Sequence, residues 1–308
     1  MEIALIAPPS LLDYVKNREY HMVLPVYLKD SNYYRYYYER TSILAPVVHT
    51  MLDCGAYEGE ALGGSELLNL AHDLRADEVI SPDTMGDAVA SYKKLTKLLS
   101  YRKHPSRAHK RNFHIMVPVQ GRSVEECYAF VDRVAAIAAG NAIKTFGLPK
   151  CLVETTSWAE IRITLLRYIQ ERYEGAFDVH LLGYNSHGET LQAALRGARS
   201  MDTSMPFVVA AAGWSLGEHK QIPRDRELDL REAMTSTPPD PELVKGNIDL
   251  LDAWAHISSS DQPYLLTSSP VDGETITRAL YVGEQGPESR MFHDGEKIIH
   301  KPEGNYND

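Results

Sequence analysis

The sequence predicts an α/β fold, specifically a (β/α)8 barrel of the TIM type with an N-terminal extension and insertions. Three observations point there. Short β-branched or apolar runs alternate with longer amphipathic stretches. Early in the chain the runs recur roughly every 30 residues, the length of one βα unit. Polar residues gather just after the runs, where barrels place their sites. A doubly wound open sheet carries the same alternation, but seven or eight such units favour the barrel.

Taken in order, residues 1–45 read as an extension that precedes the barrel. MEIALIAPPS lacks the basic start of a signal peptide and reads as a buried strand. SNYYRYYYER holds five of the eighteen tyrosines. Aromatics beside arginines can stack on unpaired bases, or pack as a hydrogen-bonded cap on a barrel end. The barrel core is expected over 46–270, with strands at 46–52, 78–81, 113–119, 143–146, 179–182, 198–201 and 207–211. Between them lie helical patterns such as ELLNLAHDL, AVASYKKLTKLL, VEECYAFVDRVAAIAA, WAEIRITLLRYIQERY and GETLQAALRGA. An eighth strand is expected at 264–266, after a polar insertion around 223–241. Residues 271–308 form a polar C-terminal segment, expected to be partly mobile from Gly283 on. No strong linker divides the chain, so it reads as one domain.

Composition excludes several classes. With 44% hydrophobic and 24% charged residues, the chain is an ordinary globular one, and no apolar run approaches a membrane span. Three cysteines far apart imply no disulfide framework and fit a reducing cytoplasm. A net charge of −10 argues against nonspecific coating of nucleic acid. The segment 93–111 nevertheless carries eight of the 32 Lys and Arg and no acid. It is either a phosphate-binding patch or a solvated helix face, and in a barrel its loop would lie opposite the active site.

The polar residues after the strands carry the chemistry. They comprise Asp53-Cys54-Gly55-Ala56-Tyr57-Glu58, Ser81-Pro82-Asp83-Thr84, Pro118-Val119-Gln120-Gly121, Gly147-Leu148-Pro149, His180-Leu181-Leu182-Gly183 and Met201-Asp202-Thr203-Ser204. Each alone is weak, because an Asp after a strand usually caps the next helix. Together they aim three aspartates and a glutamine into one mouth. Two carboxylates flanking an anomeric carbon can act as nucleophile and general acid/base, forming a covalent glycosyl intermediate. A further carboxylate, a Gln and backbone amides suit the edge of a purine, and an aromatic face stacks on its ring.

These motifs resemble a known family. DCGAYE is similar to the DSGG-aromatic motif of queuine and archaeosine tRNA-guanine transglycosylases, and PVQG to their VQG. HLLGYNSHGETLQAALRGARSMDTSMP resembles their LMG…G-x-D-x-x-D-x-x-x-P segment, so the similarity spans about half of the chain, from residue 52 to 206. The resemblance implies Asp202 as nucleophile and Asp53 as general acid/base. It implies that Asp83, Gln120 and the Gly183 backbone hold the base, that Tyr57 and Leu182 sandwich it, and that Gly147 lines the pocket. No cofactor is implied.

Two departures separate this chain from the tRNA enzymes. No cysteine follows Asp202, so their C-x-C-x-x-C…H zinc subdomain is missing and no metal is expected. Nor is there room for an added RNA-binding domain. The variants together most resemble the phage and bacterial DNA 7-deazaguanine transglycosylases, which exchange guanine in DNA for a 7-deazaguanine base. DNA and the free base are the implied partners, with no membrane; loss of the zinc region favours a monomer. The alternatives are a zinc-free transglycosylase acting on tRNA, a catalytically inactive nucleic-acid-binding homologue, and an unrelated barrel whose aspartates only cap helices. The presence of both Asp53 and Asp202 speaks against the inactive homologue.

Overall fold

The computed structural model describes residues 1–43, 48–56, 59, 61–103, 113–217 and 239–257, together with the backbone of four strands between 264 and 302. Eight parallel strands close into a barrel in chain order. They are β1 (Glu2–Leu5), β2 (Tyr20–Val23), β3 (His49–Leu52), β4 (Glu78–Ile80), β5 (His114–Pro118), β6 (Ile143–Pro149), β7 (Asp178–Leu182) and β8 (Ser200–Thr203). Closure is made by β8 against β1, with Glu2 opposite Ser200 and Ala4 opposite Asp202.

Alternation along the strands sorts their side chains into two cores. Ala4, Met22, Leu24, Met51, Ile80 and Met116 fill the barrel interior. Their neighbours in sequence, among them Leu5, Val23, Leu52, Val79, Val117 and Leu181, point outward into the layer shared with the helices. That parity turns inward Asp53, two residues beyond Met51, and Gln120, four beyond Met116. It also turns inward Gly147, and His180 with Leu182 and Ser200 with Asp202 along the last two strands.

The wall helices are α1 (Ser31–Ile43), α2 (Gly64–Asp73), α3 (Ala88–Arg102), α4 (Val124–Ala138), α5 (Leu152–Thr156), α6 (Ile161–Tyr173) and α7 (His187–Leu195). Four start on side-chain caps, which satisfy amides that a first turn leaves unbonded. Asp30 accepts from the Asn32 and Tyr33 amides at the start of α1. Asp87 accepts from Ala90 N–H, Ser123 from Glu126 N–H and Ser186 from Glu189 N–H. After β8 come α8 (Met205–Ala211) and α9 (Pro241–Ala255). Buried Asn247 of α9 accepts from Leu216 N–H and donates to the carbonyls of Pro206 and Trp214, latching α9 to the turn that ends α8. Further along, β9 (Tyr264–Val271) pairs antiparallel with β10 (Glu274–Tyr281), and β11 (Ser289–Asp294) with β12 (Lys297–Pro302).

Several expectations need correction. The barrel begins at residue 2 rather than at 46: residues 1–45 supply β1, β2 and α1, and Asp53 follows the third strand. Segment 207–211 is helical. Pro206 sits in its first turn, where the fixed φ suits a helix, and a short apolar run does not by itself distinguish strand from helix. The strand at 264–266 belongs to a hairpin outside the barrel, and β8 is the eighth strand. The tyrosine run forms a wall helix and not an end cap: Tyr33 and Tyr37 are fully buried, and the Tyr33 hydroxyl accepts from Leu24 N–H. Among the described residues, no helix is long and apolar enough to cross a membrane.

Candidate active site

The expected site residues that are described lie at the C-terminal mouth of the barrel, each brought there by its strand. Asp202 lies on β8 itself. Its carboxylate, almost wholly buried, accepts two N–H bonds on Oδ1, from His180 Nε2 at 2.9 Å and from the Gly183 amide at 3.1 Å. No described residue bonds Oδ2. Gly183 turns at φ +79°, a left-handed conformation natural to glycine, and this aims its amide back at Asp202. Buried Arg162 holds the same residue from behind, donating to the Gly183 carbonyl at 2.9 Å and to Glu189 at 3.0 Å.

On the next strand over, Leu182 lies against Gly147. A Cβ at 147 would stand 2.6 Å from Leu182 Cδ1 and 3.2 Å from Met116 Sδ. The glycine therefore gives Leu182 its seat.

Asp83 and Gln120 form a second group, in the loops that follow β4 and β5. The Gly86 amide donates to Gln120 Oε1 at 2.9 Å, which orients the side-chain amide so that Nε2 donates to Asp83 Oδ2 at 2.5 Å. Burial raises the Asp83 carboxyl above its usual range, and the Gln120 bond only partly offsets this. Cys151 borders the pair; burial first, then the Asp83 charge, pushes its thiol up to about 11, so it is protonated and unreactive at neutral pH.

Asp53 follows β3, three strands from β8 around the ring. Its Oδ2 accepts from Gly55 N–H at 3.0 Å in a tight turn. Tyr57, the expected aromatic wall, lies outside the described residues. The structure thus joins Asp202 with Gly183, Leu182 with Gly147, and Asp83 with Gln120. No group of three or more metal-ligating side chains stands together among the described residues.

Inside the barrel lie polar residues to which the sequence assigns no role: Arg199, Ser200, Glu78 and Thr145, and also His180, which stands among the strand-end residues without one. Ser200 Oγ lies 2.7 Å from His180 Nδ1 and accepts from Arg199 Nε at 3.2 Å. Arg199 is held by buried Glu78 at 2.6 Å and by Thr145 at 2.9 Å. Burial alone would raise the Glu78 carboxyl, but His49, Arg199 and Thr145 outweigh it and hold it at about 2. Period-two parity was the available signal, since His180 precedes Leu182 by two and Ser200 precedes Asp202 by two.

The basic segment 93–111 divides along α3. Lys94, toward the mouth, donates to the Asp83 carbonyl. Arg102, at the far end, donates to the Asn141 carbonyl and lies over the Phe113 ring. Residues 104–112 lie outside the described residues. Compared with known proteins, the chain matches no family model and no curated protein at significance.

Proposed function

We propose that this barrel is a DNA-guanine transglycosylase that exchanges guanine for a 7-deazaguanine base through an aspartyl-glycosyl intermediate. The observation that carries the reading is Asp202: a nearly buried carboxylate at the barrel mouth with Oδ1 held by two donors and Oδ2 without a bond partner among the described residues. Oδ2 attacks C1′ of the target nucleotide; the C1′–N9 bond breaks, and its electron pair leaves with guanine, protonated from Asp53. After guanine departs, the 7-deazaguanine N9 loses its proton to Asp53 and attacks C1′, releasing Asp202. Two inversions give net retention.

Asp83 and Gln120 receive the base edge with the Gly183 backbone, while Leu182 over Gly147 forms one wall and Tyr57 the other. Burial of Asp202 supports exchange over hydrolysis, because water has little access to the intermediate. Incubation with duplex DNA and, separately, tRNA, each with labelled 7-deazaguanine bases, tests the reading. DNA labelling is expected, together with a denaturation-resistant adduct mapped to Asp202 by mass spectrometry and lost in Asp202→Asn. Labelling of tRNA alone would move the activity to RNA, and an adduct on another residue would refute the nucleophile.

A further inference from the structure

Inside the barrel a single line of hydrogen bonds runs from the floor to Asp202. Its hydrogens can be placed from chemistry alone. A guanidinium has no acceptor, so Arg199 Nε donates to Ser200 Oγ at 3.2 Å. Asp202 Oδ1 already accepts the Gly183 amide at 3.1 Å and is thus an acceptor oxygen, so His180 Nε2 donates to it at 2.9 Å. Between these ends, the 2.7 Å contact between Ser200 Oγ and His180 Nδ1 is made by the serine hydroxyl donating to the ring. The opposite polarity would leave Ser200 accepting two N–H groups, with no described acceptor for its own proton.

We infer that Arg199, Ser200 and His180 form a fixed donor relay that locks His180 as the neutral Nε2–H tautomer and thereby positions Asp202 for attack. His180 is a positioning residue, acting through Asp202 and touching no substrate. The inference rests on the reading of Asp202 as the nucleophile. Three features of the surroundings agree with it. His180 and Ser200 are fully buried, so no water competes for the ring nitrogens. Burial lowers the imidazole's proton affinity, against the opposing pull of Asp202, which keeps it neutral. Glu78 and Thr145 anchor the Arg199 end, so the relay cannot swing. Without it the carboxylate would keep only the Gly183 amide among described donors and could rotate Oδ2 away from C1′.

The test reads the ring directly. In protein labelled with 15N-histidine, the His180 resonances, assigned by their loss in His180→Gln, should show a protonated Nε2 and a bare Nδ1. Ser200→Ala should mix the two tautomers and lower kcat about tenfold with little change in KM; loss of one hydrogen bond to a charged group corresponds to about a ten- to hundredfold change. His180→Leu should lose more, while His180→Gln, whose amide can donate from the Nε2 position, should lose far less than His180→Leu. A protonated Nδ1, a cationic ring, or unchanged tautomer and kcat in Ser200→Ala would overturn the relay. The Nε2–H tautomer, displaced by Ser200→Ala in a protein that exchanges no base, would support the relay and sink the transglycosylase reading instead.

Discussion

At position 147 there is no room for a side chain. A methyl group would stand 2.6 Å from Leu182 Cδ1 and 3.2 Å from Met116 Sδ, so Gly147→Ala must displace the leucine that walls the proposed base pocket. Overpacking of this kind costs about 1–3 kcal/mol. Melting should drop modestly while base affinity, measured by calorimetry, falls clearly; unchanged affinity would remove Leu182 from the pocket. Asp83→Asn keeps the shape but turns an acceptor-only group into an amide facing Gln120 Nε2. With hydrogen bonds to charged groups worth about 1.5–3 kcal/mol, base affinity should fall about ten- to hundredfold, with little effect on folding. The sequence alone singled out Asp83, Gln120 and Asp202, because strand ends of a barrel are where polar residues need a reason to be. His180 and Ser200 sit within strands, where core is expected, and Arg199 directly precedes one. A buried polar residue inside a strand becomes legible only once the strand's inward face is known.

Helix α3 spans the height of the barrel, and its charges divide by end. Lys94 is tied to the backbone of Asp83 at the mouth, whereas Arg102 is committed to Asn141 and Phe113 at the floor. If DNA meets the mouth, Lys94→Glu should weaken binding and reduce the salt slope by about one, as for the loss of a single phosphate contact. Arg102→Glu should leave both unchanged; titrations at several salt concentrations distinguish the two ends. Elements were unevenly legible. Strands β3 to β7 were expected close to where they lie, since each combines an apolar run with turn signals and a long amphipathic helix. The four-residue β2, YHMV, is too short for any periodicity, and missing it pushed the barrel's start to residue 46. The apolar FVVAA run was misread because burial on all sides suits helix and strand equally; Pro206 was the cue that distinguishes them.

For the whole molecule, pH dependence follows from the buried histidines. Burial lowers His21 to about 4, below the usual value of 6.5, so between those values the unfolded chain binds a proton that the folded chain refuses. Stability therefore rises with pH across that window and is lost as pH falls through it, by up to about 3 kcal/mol from this residue; His180, also lowered, adds in the same direction. Glu78, held at about 2, extends the loss to lower pH. Denaturant midpoints should decrease from pH 7 to pH 4, and His21→Phe should flatten that decline; an equally steep decline in the variant would exonerate His21. The pairing of β1 with β8 has a consequence of another kind. Its partners, Glu2 and Ser200, stand about two hundred residues apart, a separation that makes ring closure a late and slow event in folding. On the ribosome, the first strand must wait with an unsatisfied edge while six others are synthesised. That interval exposes the nascent chain to misassembly, and chaperone demand during synthesis should track the delay until residue 203 clears the exit tunnel.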